Sequence, residues 1–171
     1  MPAGLTYVPL ASYTVSSNQL YVSFSNLNQS YTDLVLTITG NCGSSGGDDF
    51  TCVSFNGDQE TRFTYQTLYS YAPSSVTAEK NSASTIIYGP ALPISTAPPA
   101  YGEIHVMNYA SSSKYKTVLG RWGAIRNGLP SAILAGSWEQ TYPIVSIDLR
   151  TINGYAFGPG TTFNLYGIAA A

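Results

Sequence analysis

Apolar residues in this chain recur at every second position in short runs, and no stretch sustains the spacing of a helix face. Leu20, Val22 and Phe24 fall on one side of an expected strand. The run Leu34-Val35-Leu36-Thr37-Ile38 is apolar almost throughout and reads as a more fully buried strand. Val53 and Phe55 lead into Asn56-Gly57, a strong signal for a tight turn. Across residues 61–71, Phe63, Tyr65, Thr67 and Tyr69 share one side. Further strands are expected over 84–88, 104–107, 117–125, 131–138, 144–149 and 162–168. Val145, Ile147 and Leu149 form an inward-facing triplet in one of them, and Asn127-Gly128 marks a hairpin between the strands of Trp122 and Trp138. The best helical segment, 25–31, allows one or two turns. Many short strands separated by turn signals predict an all-β fold, an antiparallel sandwich or barrel.

The run from Phe157 to Ile168 closes this pattern. Gly158 and Gly160 suit positive φ on either side of Pro159, and Phe163 and Leu165 then alternate with Asn164 and Tyr166. Gly167 is expected to let this last strand pair closely with a neighbour. The expectation is one finished module over 1–171, with a candidate N-terminal arm at 1–6.

Composition narrows the function. Charged residues are 9% of the chain, against about 25% in an ordinary domain. The net charge is −2, and Lys114 with Lys116 is the nearest approach to a basic cluster. Nucleic-acid binding needs a positive stripe, so none is expected. No apolar run reaches the length of a membrane-spanning helix, and no charged-then-apolar leader opens the chain. A surface of Ser, Thr, Asn, Gln, Tyr and Gly suits close packing against protein or contact with neutral sugars. The 14 Tyr, 6 Phe and 2 Trp fit both uses. Trp122 and Trp138 read as a packed pair.

Candidate chemistry is sparse. Cys42 and Cys52 flank a Gly/Ser/Asp-rich stretch; a disulfide there would contribute about 2–3 kcal/mol, and two reduced thiols are the alternative. His105 lies on a strand face with Glu103 and Met107, with no nucleophile beside it in sequence. Gly43-Ser44-Ser45-Gly46-Gly47 matches a nucleophile elbow by letter, without the following helix. Asp58 with Glu60, or Asp48 with Asp49, would be the carboxylate pairs of a glycosidase, and the latter also a fragment of a calcium site; both sit in turn-like contexts. No cofactor motif and no zinc set is present in the sequence, so no catalytic residue, metal or cofactor is expected. The stretch 89–100 is proline-rich, stiff and apolar. Pro90, Leu92, Pro93, Ile94, Pro98, Pro99 and the adjoining Tyr101 form a candidate interface loop, or else a crossover covering one end of the sandwich.

Several motifs in order carry a resemblance. They are Tyr7-Val8-Pro9-Leu10-Ala11-Ser12, then "YTDLVL" from Tyr31 to Leu36, then Phe55-Asn56-Gly57-Asp58. Asn108-Tyr109-Ala110, a Trp-containing strand, residues 144–149 and the closing Phe163-Asn164-Leu165-Tyr166-Gly167-Ile168 follow. In this order the chain resembles small structural proteins of tailed bacteriophages, almost end to end. The resemblance implies a jelly-roll-like β-sandwich in a virion assembled in the host cytoplasm. It implies either a capsid decoration (cement) protein or a tail-fibre, receptor-binding domain. The first, a non-enzyme, would bind the major capsid protein and itself, as a homotrimer; the second would recognise host glycan. Within these motifs, Asp33 is expected to accept backbone hydrogen bonds at the Tyr31-Thr32 turn.

Overall fold

The computed structural model describes residues 6–43, 47–72, 75–124 and 130–169. Among these residues there is no helix, and the segment 25–31 is bends and turns. The strands are β1 (Tyr7–Thr14), β2 (Val22–Ser25), β3 (Asp33–Gly40), β4 (Asp49–Phe55), β5 (Phe63–Ala72) and β6 (Ser75–Ser84). They continue with β7 (Ile87–Leu92), β8 (Ala100–Met107), β9 (Lys116–Gly123), β10 (Ser131–Trp138), β11 (Ser146–Thr151) and β12 (Thr162–Ile168). All pair antiparallel, in two sheets. The large sheet has the order β1-β12-β3-β8-β9-β10-β5-β6, and the small one β2-β11-β4-β7. The protein is an all-β sandwich, as the alternation predicts. From β2 onward the chain keeps crossing between the sheets: β2 small, β3 large, β4 small, β5 and β6 large, β7 small, β8 to β10 large, β11 small, β12 large.

The core lies between the sheets. Leu34, Leu36 and Ile38 of β3, Ile104 and Val106 of β8, Val118 of β9 and Phe163 and Leu165 of β12 are buried from one side. Val22, Phe24, Val53, Phe55, Ile87, Ile147 and Leu149 meet them from the other. Each such side chain contributes about 1.5–3 kcal/mol on burial, which fixes the register because a one-residue slip would expose the whole set. Val35 is buried too, between the register neighbours His105 and Tyr166 on the outer face, so β3 is covered on both sides.

Several expectations need correction. Leu20 is 64% exposed and precedes β2; Val145 is 49% exposed and precedes β11. The reason at Val145 is local: its amide and that of Ser146 donate to Asn56 Oδ1, at 2.7 and 3.1 Å, instead of entering the ladder. Asn56 and Gly57 do take positive φ, 56° and 65°, and the Asp58 amide closes the turn on the Phe55 carbonyl at 2.9 Å. The turn joins no hairpin, however: β4 is in the small sheet and β5 in the large one. Strand β6 has no apolar periodicity to announce it. Its residues from Ser75 to Ala83 are exposed, and backbone pairing to β5 is what makes it a strand. Strands β9 and β10 pair as expected, with Trp122 opposite Ala132; Asn127 and Gly128 themselves lie outside the described residues, as do residues 1–5 of the candidate arm.

Candidate functional site

Asp33, Asp48, Asp49 and Asp58 are all engaged in hydrogen bonds. Asp33 Oδ1 accepts from the Asn108 amide at 2.9 Å, and its Oδ2 lies 3.2 Å from His105 Nε2. That corrects the expected role of Asp33: the Thr32 amide and hydroxyl instead donate to the Ile168 carbonyl, each at 2.9 Å. Asp58 accepts from Trp138 Nε1 at 2.7 Å and from the Glu60 amide at 2.9 Å, with Arg62 3.4 Å away. Buried Asp49 accepts from the Phe50 amide and from both the amide and Nδ2 of Asn153. Asp48 accepts from the Ile94 amide. Among the described residues, no three of His, Cys, Asp and Glu gather as a metal site. Ser44, Ser45 and Gly46 of the elbow-like run lie outside the described residues.

Cys42 and Cys52 are buried free thiols, not a bridge. Cys42 joins the central core, whereas Cys52 neighbours core-facing Val53 in β4 and so points to the opposite face. Burial, the largest cause, pushes both thiols up to about 12. Lys116 also departs from expectation. It is fully buried, and its ammonium donates to the carbonyls of Ser111, Lys114 and Thr141 at 2.8 to 3.0 Å, with that of Gln140 at 3.3 Å. Desolvation lowers its pKa, and its burial separates it from any surface pair with Lys114.

The candidate interface loop divides in two. Pro90 and Leu92 are buried residues of β7, and Pro93 is buried beyond it, its carbonyl accepting from the Cys42 amide at 2.7 Å. Ile94 is half-buried and tied by its carbonyl to Asn41 Nδ2; Pro98, Pro99 and Tyr101 are exposed. The first half is therefore part of the sandwich. The two Trp residues are not a packed pair: Trp122 is opposite Ala132 and Trp138 opposite Lys116, at opposite ends of the β9–β10 ladder. Trp138 packs with Phe55 and Phe63 instead.

What is left open is surface. On the outer face of the large sheet, one register row runs Glu103, Arg121, Ile133, Leu68, Ala78, and the next His105, Leu119, Ala135, Gln66, Lys80. Leu68, Leu119 and Ile133 are 44%, 40% and 58% exposed in the middle of these rows. They line a shallow concavity of about 790 Å³, flanked by the Arg121–Glu103 ion pair at 2.7 Å. This face was legible in the sequence only as a break in alternation: Val118-Leu119 and Ile133-Leu134 place apolar residues on both faces of strands expected to have a wet side.

A smaller cavity, about 100 Å³, opens beside β7, the edge of the small sheet. Phe50, Tyr65, Tyr69, Tyr88 and Trp122 form its aromatic walls, with Thr67 and Glu79 among them. Trp122 Nε1 and Thr67 Oγ1 are buried without a hydrogen-bond partner. Such a group ordinarily costs about 1–3 kcal/mol, so two in one cavity need an explanation. A third hollow, of about 390 Å³, lies at Tyr21 and Asp148. There the carboxylate is already engaged by the Tyr21 and Ser23 hydroxyls and the Gly57 amide. No protein-family model matches this chain, and no curated protein matches it.

Proposed function

We propose that this protein is a non-enzymatic structural component of a virion. In this reading it is a capsid decoration protein that binds the major capsid protein and copies of itself, as a homotrimer, after assembly in the host cytoplasm. The observation that carries the proposal is the outer face of the large sheet, where Leu68, Leu119 and Ile133 stand exposed together. Covering them returns about 25 cal/mol per Å² of apolar area, and a protein that binds only the closed shell stabilises it by linkage. The engagement of Asp33, Asp49 and Asp58 in structural hydrogen bonds supports a role without catalysis. The repeated crossing of the chain between sheets supports the jelly-roll form of the sandwich. The test is addition of purified protein to capsids that lack it. Ile133→Lys and Leu68→Glu should melt as the parent does yet fail to bind. Virions without the protein should release their genome at lower temperature. Unchanged binding by both variants, or unchanged virion stability, would overturn the proposal.

A second reading, a tail-fibre or receptor-binding domain that recognises host glycan, is favoured by the aromatic cavity beside β7 with its unpaired Trp122 N–H. Copy number separates the two: hundreds of copies per virion mean decoration, and a few dozen or fewer mean tail.

A further inference from the structure

We infer that the cavity beside β7 binds the acetamido group of an N-acetylated amino sugar. The inference rests on the glycan-recognition reading and makes its ligand specific. The indole N–H of Trp122 can only donate, so the occupant must bring an acceptor; the Thr67 hydroxyl can take a donor in turn. Both side chains are more than nine-tenths buried. The walls ask for something apolar: Phe50 and Tyr88 stack with centroids 5.8 Å apart, and Tyr65 lies 5.3 Å from Tyr88. An acetamido group presents one carbonyl acceptor, one N–H donor and one methyl.

Size and charge agree with this chemistry. A space of about 100 Å³ is below the roughly 150 Å³ of a cavity that takes up benzene, so it suits a group of a few heavy atoms rather than a whole sugar ring. The ring would remain at the rim, where exposed Glu79, held by the Tyr69 hydroxyl at 2.5 Å, can accept from sugar hydroxyls. Burial raises the pKa of Tyr65 and Tyr88, so both phenols stay neutral at pH 7. An amino sugar without its acetyl group lacks the carbonyl that the indole N–H requires, although its ammonium would be attracted by the Glu79 carboxylate, so glucose is the neutral comparison.

The layout of the strands makes room for this cavity. Trp122 lies along the inner face of β9 with its six-membered ring against Gly120, where a Cβ would come within 3.4 Å of it. Thr67 and Tyr65 come from β5 of the large sheet, and Tyr88 from β7, the edge strand of the small one.

The test titrates the full chain with N-acetylglucosamine, N-acetylgalactosamine, glucosamine and glucose, read by ligand-observed NMR and tryptophan emission. At least one acetylated sugar should bind about tenfold or more tightly than glucose. Trp122→Phe, which keeps a ring and removes the N–H, and Thr67→Val, which keeps the volume and removes the hydroxyl, should each weaken that binding about tenfold. Thermal melts and circular dichroism establish that both variants fold. Equal binding of glucose and the acetylated sugars would overturn the inference while leaving glycan recognition standing. Binding undiminished in both folded variants would overturn it as well. No binding of any sugar, together with no adsorption of the protein to host cells, would overturn both and leave ordered water as the occupant.

Discussion

Lys116 has no exposed surface, and its ammonium holds the carbonyls of two loops, at 111–114 and 140–141. In the sequence it looks like a solvated charge beside Lys114, because lysine is almost never fully buried. Only the closure of both loops around it turns it into a staple. Lys116→Met keeps the stem and deletes the donors, leaving those carbonyls without their partner. The expected cost is about 3 kcal/mol in urea unfolding; a change below about 0.5 kcal/mol would mean that water replaces the ammonium at no loss. Asp58 teaches the same lesson from the other side. Its neighbour Glu60 and its turn context were legible in the sequence, but its bond to Trp138, eighty positions away, was not.

At the scale of elements, β12 shows how much one glycine decides. Residues 162–168 alternate between half-buried and buried as their sequence predicts. Gly160 takes a positive φ of 87°, as expected, whereas Gly158 does not. Gly158 is needed because a Cβ there would lie 2.8 Å from the Cys42 carbonyl oxygen. Gly167 is constrained more tightly. A Cβ at this position would sit 2.5 Å from the ring of Tyr31, which packs across the end of the strand. Gly167→Ala should destabilise the protein by about 1–3 kcal/mol. Most of that loss should vanish in the Tyr31→Ala background, where no ring stands in the way, and the coupling of the two changes is the quantity to measure. Additive losses would show that Tyr31 is not the constraint. Strand β6 marks the limit of reading elements from pattern. With both faces wet it has no alternation, and its partner β5 alone defines it.

For the whole molecule, two buried thiols set an alkaline limit. Unfolded cysteines lose their protons near pH 9, while burial holds Cys42 and Cys52 protonated to about 12. Between these values the unfolded chain binds fewer protons than the folded one. Stability is therefore full below about pH 9 and falls as pH rises toward 12. Denaturant midpoints from pH 7 to 11 measure this, and a flat profile above pH 9 would contradict it. The same burial predicts that neither thiol reacts with a disulfide reagent in the native state, and that two react per chain in denaturant without reductant. Fewer than two would reveal a bridge.

The sequence by itself determined the fold class, most strands and most core faces, because strand alternation is a local property and survives without knowledge of partners. It also determined the Asn56-Gly57 turn geometry, since positive φ is a matter of one or two residues. The tertiary structure decided which sheet each strand joins, so the two cysteines face apart and the two tryptophans separate. It also decided that the exposed apolar face lies on β5, β9 and β10, and that Trp122 and Thr67 meet in one cavity. Those outcomes depend on which residues distant in the chain become neighbours. Long-range pairing fixes that, and no local pattern encodes it.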